Sequence, residues 1–142
     1  MTPELYAGKA AGKVMSEDGH QVVLFHWCDL AKGKHPELAW LYAVPNGGLR
    51  SKAVAGKLKA GGVKAGVLDL HLDVARKGFH GLRIELKVPE VRAIPGVTKR
   101  TPPGRISPEQ QAWIGHHIEQ GYNARVAYGW TEAMEILVDY LS

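Results

Sequence analysis

Apolar and polar residues alternate without a break from Leu82 to Val88. Leu82, Ile84, Leu86 and Val88 fall on one side of the run, and Arg83, Glu85 and Lys87 on the other. Period two predicts a half-buried strand, with a carboxylate and an ammonium projecting together from its polar face. Val67 to Val74 alternates in the same way. Asp69, His71 and Asp73 share one face, and Leu70, Leu72 and Val74 the other. The link Ala75 to His80 contains Gly78 and is short, so the two strands are expected to pair as an antiparallel hairpin. Asp69 then arrives beside Glu85 and Lys87.

The remaining pattern is mostly helical. Ser16 reads as an N-cap, with Glu17 and Asp18 in the first turn where the helix dipole favours negative charge. Val23, Leu24, Trp27, Cys28, Leu30 and Ala31 continue the stripe to Lys32-Gly33, although Gly19 weakens the helix locally. Leu38 to Val44 is a continuous apolar run that predicts a strand. Pro45-Asn46-Gly47-Gly48 is a sharp loop. Ser51 to Ala60 predicts a helix closed by Gly61-Gly62, with Val54, Ala55 and Leu58 on one face and Lys52 and Lys59 on the other. Pro89 to Gly104 is a proline-rich loop. Ser107-Pro108-Glu109-Gln110 opens a helix with a capping-box arrangement, and Gly121 closes it. Ala124 to Tyr128 predicts a short strand. Thr131 is expected to cap a last helix that packs Ala133, Ile136, Leu137 and Tyr140 inward. The order α-β-α-β-β-α-β-α predicts an α/β fold, a mixed sheet of about four strands flanked by helices.

Composition narrows the class. A chain of 142 residues fits one domain. Residues 1–15 are expected to form a loose N-terminal arm ahead of a domain over 16–142. A single cysteine, Cys28, excludes an internal disulfide and a cysteine-based zinc site, and reads as a small core residue in a reducing compartment. No apolar run approaches membrane-spanning length and Met1 to Val14 lacks a signal-peptide core, so no membrane is implicated. A cytoplasmic protein, of a bacterium or of a phage-infected host cell, is the expectation.

Charge points to a polyanion. The net charge is +4, and two segments contain no acid at all. Arg50, Lys52, Lys57, Lys59 and Lys64 lie between Glu37 and Asp69. Arg92, Lys99, Arg100 and Arg105 lie between Glu90 and Glu109. Both segments flank the acid-bearing strands, as phosphate contacts beside a site would. Asp69 and Glu85 on neighbouring strands supply hard oxygen ligands for one Mg²⁺ or Mn²⁺ ion, with the Leu86 backbone carbonyl as a third oxygen. Lys87 on the Glu85 face can orient water or stabilise a pentavalent transition state. His71 and Asp73 read as sheet-surface polar groups, and Trp40 and Trp113 as core. His116-His117 has no third ligand at zinc spacing.

Several motifs occur in one order over roughly Ser16 to Leu141. They are Val44-Pro45-Asn46-Gly47-Gly48, then Leu58 to Leu70 ending in Gly66-Val67-Leu68-Asp69-Leu70, then Gly81-Leu82-Arg83-Ile84-Glu85-Leu86-Lys87, then Ser107-Pro108-Glu109-Gln110 with Trp113. Together they resemble the VRR-NUC (virus-type replication–repair nuclease) domain of the PD-(D/E)XK nuclease superfamily. Two departures stand out. Leu68 replaces the usual proline, and the Pro89–Gly104 loop is longer than usual. The resemblance implies a restriction-endonuclease-like core with Asp69, Glu85, Lys87, Gln110 and Glu17 as catalytic residues. Asp69, Glu85, the Leu86 carbonyl and Glu17 would hold the metal. The implied activity is Mg²⁺- or Mn²⁺-dependent, structure-selective cleavage of branched DNA, of Holliday-junction resolvase type, by a homodimer. Asn46, Arg50, Lys52, Lys59, Lys64, Lys99, Arg100 and Arg105 would contact DNA. The alternatives are a flap, single-strand or restriction-like nuclease, or a non-catalytic DNA-binding module on the same fold.

Overall fold

The computed structural model describes residues 14–45 and 51–142. The expected arm therefore lies almost wholly outside the described residues, as do Asn46 and Arg50. Ser16 caps helix α1 (Glu17–Ala31), its hydroxyl accepting from Gly19 N–H at 3.0 Å. Gly19 is tolerated for a packing reason, because a Cβ there would meet Met15 Cγ at 2.7 Å. A short 3-10 helix (Pro36–Trp40) leads into strand β1 (Leu41–Ala43), and helix α2 spans Lys52–Ala60. Strands β2 (Leu70–Leu72) and β3 (Leu82–Lys87) precede helix α3 (Pro108–Glu119), strand β4 (Asn123–Tyr128) and helix α4 (Trp130–Leu141).

The sheet order is β1-β2-β3-β4. β1 runs antiparallel to β2, β2 antiparallel to β3, and β3 parallel to β4. The β2–β3 hairpin turns at Lys77-Gly78, both at positive φ (52° and 82°), which a type I′ turn requires. Leu70, Leu72, Leu82, Ile84 and Leu86 are inaccessible to solvent and pack with Leu24 and Cys28 of α1 and Ala133, Leu137 and Tyr140 of α4. The Tyr140 hydroxyl reaches the Val74 carbonyl at 2.6 Å, satisfying both buried groups. α3 lies over the opposite face, where its His117 ring meets His71 at 6.1 Å between centroids.

Several expectations are corrected. Leu38 to Val44 is not one strand: Pro36, preset for the first turn of a helix, starts the 3-10 segment that buries Leu38 and leaves Trp40 68% exposed rather than in the core. Pairing in the second strand is confined to Leu70–Leu72, and Gly66, at φ +85°, lies ahead of it where the chain passes close to α3. Trp113 is only partly buried. Helix α2 buries none of its residues, so the Val54 face is not core-facing. Thr131 does not cap α4. The cap position is Gly129, at φ +91°, and the Trp130 N–H bonds to His20 Nδ1 at 3.1 Å. β3 is buried on both faces, not half-buried.

Leu137→Ala is expected to cost about 2–5 kcal/mol in urea unfolding, as for a fully enclosed leucine. Val54→Ala on α2 should stay within about 0.5 kcal/mol of the parent; a cost like that of Leu137→Ala would mean that α2 belongs to the core.

Candidate active site

Alternation along β3 sends Arg83, Glu85 and Lys87 to the face covered by α3. All three are buried, Glu85 at 1% exposure and Lys87 at 8%. Asp69 sits one residue before β2. Its carbonyl accepts from Val44 N–H at 2.7 Å, and its carboxylate Oδ2 accepts from Leu86 N–H at 2.8 Å. The Asp69 side chain thus replaces the ladder where β2 has ended. Glu17, in the first turn of α1, completes the group: carboxylate oxygens of Glu17, Asp69 and Glu85 lie within 4.8 Å of one another.

Two cationic or donor groups face Glu85. Gln110 Nε2 donates to Glu85 Oε1 at 2.7 Å, and Lys87 Nζ lies 3.6 Å from the same oxygen. Gln110 also closes the α3 capping box. Its Oε1 accepts from Ser107 N–H at 2.9 Å, while its own N–H donates to Ser107 Oγ at 3.1 Å. One amide therefore caps a helix with its oxygen and holds an acid with its nitrogen. The glutamate common at this capping position would set a second carboxylate against Glu85. The close approach of α3 depends on Gly66, where a Cβ would stand 2.5 Å from the Glu109 carbonyl carbon and 2.7 Å from Gln110 N. Trp113 Nε1 donates to the Ala65 carbonyl at 3.1 Å and pins the same contact one turn further on.

Three acids this close disfavour one another's ionisation. Burial, with the Asp69 charge adding to it, pushes Glu85 up to about 8, while Lys87 opposes the shift. Asp69 is raised by burial, against the Leu86 hydrogen bond. Glu17 is raised by burial and by Asp69. Glu85 Oε2 is buried and has no hydrogen-bond partner. An orphaned buried carboxylate oxygen beside two further carboxylates is a donor set that fits a hard divalent cation. Such an ion would supply the countercharge that the protein withholds.

A solved structure described as a VRR_NUC domain protein is similar to this chain, with 32% sequence identity over 90% of this chain and 89% of that one, at a TM-score of 0.69. The chain belongs to the VRR-NUC family. No family model matches it, and no curated protein does. Membership makes this a nuclease-type domain. The four-stranded mixed sheet with flanking helices agrees with the expected fold.

Within this VRR-NUC domain, the structure brings Glu17, Asp69, Glu85, Lys87 and Gln110 together. Lys52 and Lys59 are exposed on α2, and Lys64 is exposed just beyond it. Lys99 and Arg105 are exposed in the 89–105 segment, whereas Arg100 is partly neutralised by Glu90 at 3.0 Å. Asn46 and Arg50 lie outside the described residues. Sequence reasoning missed His20, which sits one turn from Glu17 and is 8% exposed. Its ring holds the N-terminus of α4, whose preceding Gly129 N–H donates to the Lys87 carbonyl at 2.8 Å. A histidine on the buried stripe of α1 was visible, but its partner 110 residues away was not. His71 and Asp73 join a separate network in which Tyr42 Oη donates to Asp73 Oδ2 at 2.9 Å and Arg83 Nη1 donates to Asp73 Oδ1 at 2.8 Å. Arg83 also stacks over Tyr122 at 4.4 Å.

The raised Glu85 pKa sets a sign for stability. Its contribution is full below the ordinary value of 4.5 and is lost as pH rises to about 8. His71, lowered by burial to about 4, acts oppositely but only up to its ordinary 6.5. In chelator, Tm should therefore fall from about pH 6.5 to about 8. Mg²⁺ should reverse the fall, and Glu85→Gln should flatten it. A Tm profile in this window that Mg²⁺ leaves unchanged would contradict a cation at these acids.

Proposed function

We propose that this VRR-NUC domain is a Mg²⁺- or Mn²⁺-dependent endonuclease that hydrolyses phosphodiester bonds in branched DNA. The observation that carries the reading is the Glu17–Asp69–Glu85 cluster with Lys87 at 3.6 Å from Glu85. Asp69, Glu85 and Glu17 would hold the ion. The Leu86 carbonyl would be the fourth oxygen, since carbonyl and N–H of one strand residue face the same neighbour, and the Leu86 N–H faces Asp69. A divalent ion here would supply Lewis-acid polarisation of the phosphate and acidify the attacking water.

The chain's own groups supply the rest. Lys87 is held in place by burial, with the Gly104 backbone close over its stem, and its ammonium offsets negative charge that grows on the phosphoryl oxygens. Gln110 fixes the Glu85 carboxylate so that it does not rotate when substrate enters. Lys52, Lys59, Lys64, Lys99, Arg100 and Arg105 hold phosphates without reading sequence. A homodimer would set two such sites across a four-way junction. Among the described residues no helix is long and apolar enough to cross a membrane.

The test is cleavage of four-way junctions, flaps, splayed arms and plain duplex with Mg²⁺ and with Mn²⁺. Asp69→Ala should abolish cutting, and Lys87→Ala should lower kcat by at least about 10²-fold, while both variants still bind junctions in a gel-shift assay. Undiminished metal-dependent cutting by both variants would overturn the nuclease site. Equal cutting of every substrate would remove the branch preference alone.

A further inference from the structure

The segment after Lys87 is not a featureless loop. Val91 and Thr101 exchange backbone hydrogen bonds at 2.9 and 2.8 Å, and Ile94 and Thr98 do so at 2.9 and 3.0 Å. Between them Ile94-Pro95-Gly96-Val97 forms a tight turn, with Val97 N–H to the Ile94 carbonyl at 2.9 Å and Gly96 at φ +73°. Proline followed by a positive-φ glycine is the type II arrangement. The Thr98 hydroxyl adds a brace to the Arg92 carbonyl at 2.8 Å. The result is a two-stranded arm with a preorganised tip.

Its residues are distributed unusually. The tip presents two large aliphatic side chains to solvent, Ile94 at 52% and Val97 at 59% exposure. The sides carry exposed cations, Arg92 and Lys99. The base stands at the site: Gly104 N–H donates to the Val88 carbonyl at 2.9 Å, and a Cβ on Gly104 would press on Lys87 Cδ at 3.1 Å. Seven extended residues from Lys87 to Ile94 span at most about 25 Å. With about 3.4 Å of rise per nucleotide along a duplex axis, that reach is at most about seven nucleotides from the scissile position. No described residue covers the tip, and its cations match a polyanion rather than an apolar protein face. Aliphatic side chains carried on a cationic support are the chemistry that enters an opened base step, most cheaply where stacking is already broken.

We propose that the 89–104 arm is a wedge whose Ile94 and Val97 side chains insert at a DNA branch point, while Arg92 and Lys99 hold the flanking phosphates. The inference rests on the nuclease reading above and deepens it: the arm selects the branch, and the acids cut at a fixed distance from it.

The test uses the whole chain and a four-way junction carrying 2-aminopurine at the branch, in Ca²⁺ to allow binding without turnover. Wild type should raise the fluorescence, and the double variant Ile94→Ser/Val97→Ser should not. These positions are exposed and leave the Pro95-Gly96 turn intact. The same variant should lose at least about tenfold in its preference for junction over duplex cleavage, with the salt dependence of binding unchanged. Lys99→Ser should instead reduce the salt slope by about one. An unchanged fluorescence response, or an unchanged preference, overturns the wedge. So does a change of oligomeric state in the tip variant by sedimentation, which would make the tip a subunit contact. If wild type cuts no DNA with either metal the nuclease reading fails, and the fluorescence response still decides the arm.

Discussion

Glu85 is buried to 1% exposure with Asp69 and Glu17 carboxylates beside it. Isolated carboxylates in that position would protonate or pull the site apart. The surrounding structure answers this repulsion with fixed groups. Leu86 N–H holds Asp69, Gln110 holds Glu85, and Lys87 supplies an ammonium at the centre. What these groups do not offset is left on an oxygen without a partner, Glu85 Oε2. A metal ion and a phosphate would complete the balance and would tie the charge state of the site to the presence of its ligands.

Holding that cluster demands close contacts from distant segments. Gly66 lets the backbone before β2 meet the first turn of α3, and any side chain there would displace Gln110. His20 couples α1 to the start of α4 through the Trp130 N–H, and Gly129 couples the same corner to the Lys87 carbonyl. Burial lowers the His20 pKa, in the same sense as its Nδ1 accepting from Trp130 N–H. Glu17 and Lys87 are thus referenced to one backbone corner although seventy residues separate them. Such supports matter because metal and phosphate chemistry tolerates little misplacement.

The cationic groups are arranged outside this rigid centre. α2 buries no residue and carries Lys52, Lys57 and Lys59 outward. The arm rises from Lys87 on the other side of the sequence. Loops and exposed helices positioned by a rigid sheet are where recognition is expected to vary while chemistry stays constant.

Alternation was enough to place Glu85 and Lys87 on one side of a strand and Asp69 beside them, because the side-chain period of a strand is a local property. The hairpin was legible from its short glycine-containing link, and the α3 capping box from Ser107 and Gln110. Glu17 could be named only through family resemblance, and its meeting with the acids arises from the packing of α1 under the sheet. Local pattern misjudged what contact partners decide. Leu38 to Val44 looked like a strand, but Pro36 began a 3-10 turn and turned Trp40 outward. The polar face of β3 looked solvated, yet α3 and Tyr122 bury it. Thr131 looked like a cap, but Gly129 holds that position and His20, 110 residues before Trp130, accepts the Trp130 N–H. Hydrophobic period reports which side of an element faces inward. Whether the other side is also covered, and which remote donor meets a given acid, depends on the arrival of segments whose separation along the chain carries no local mark.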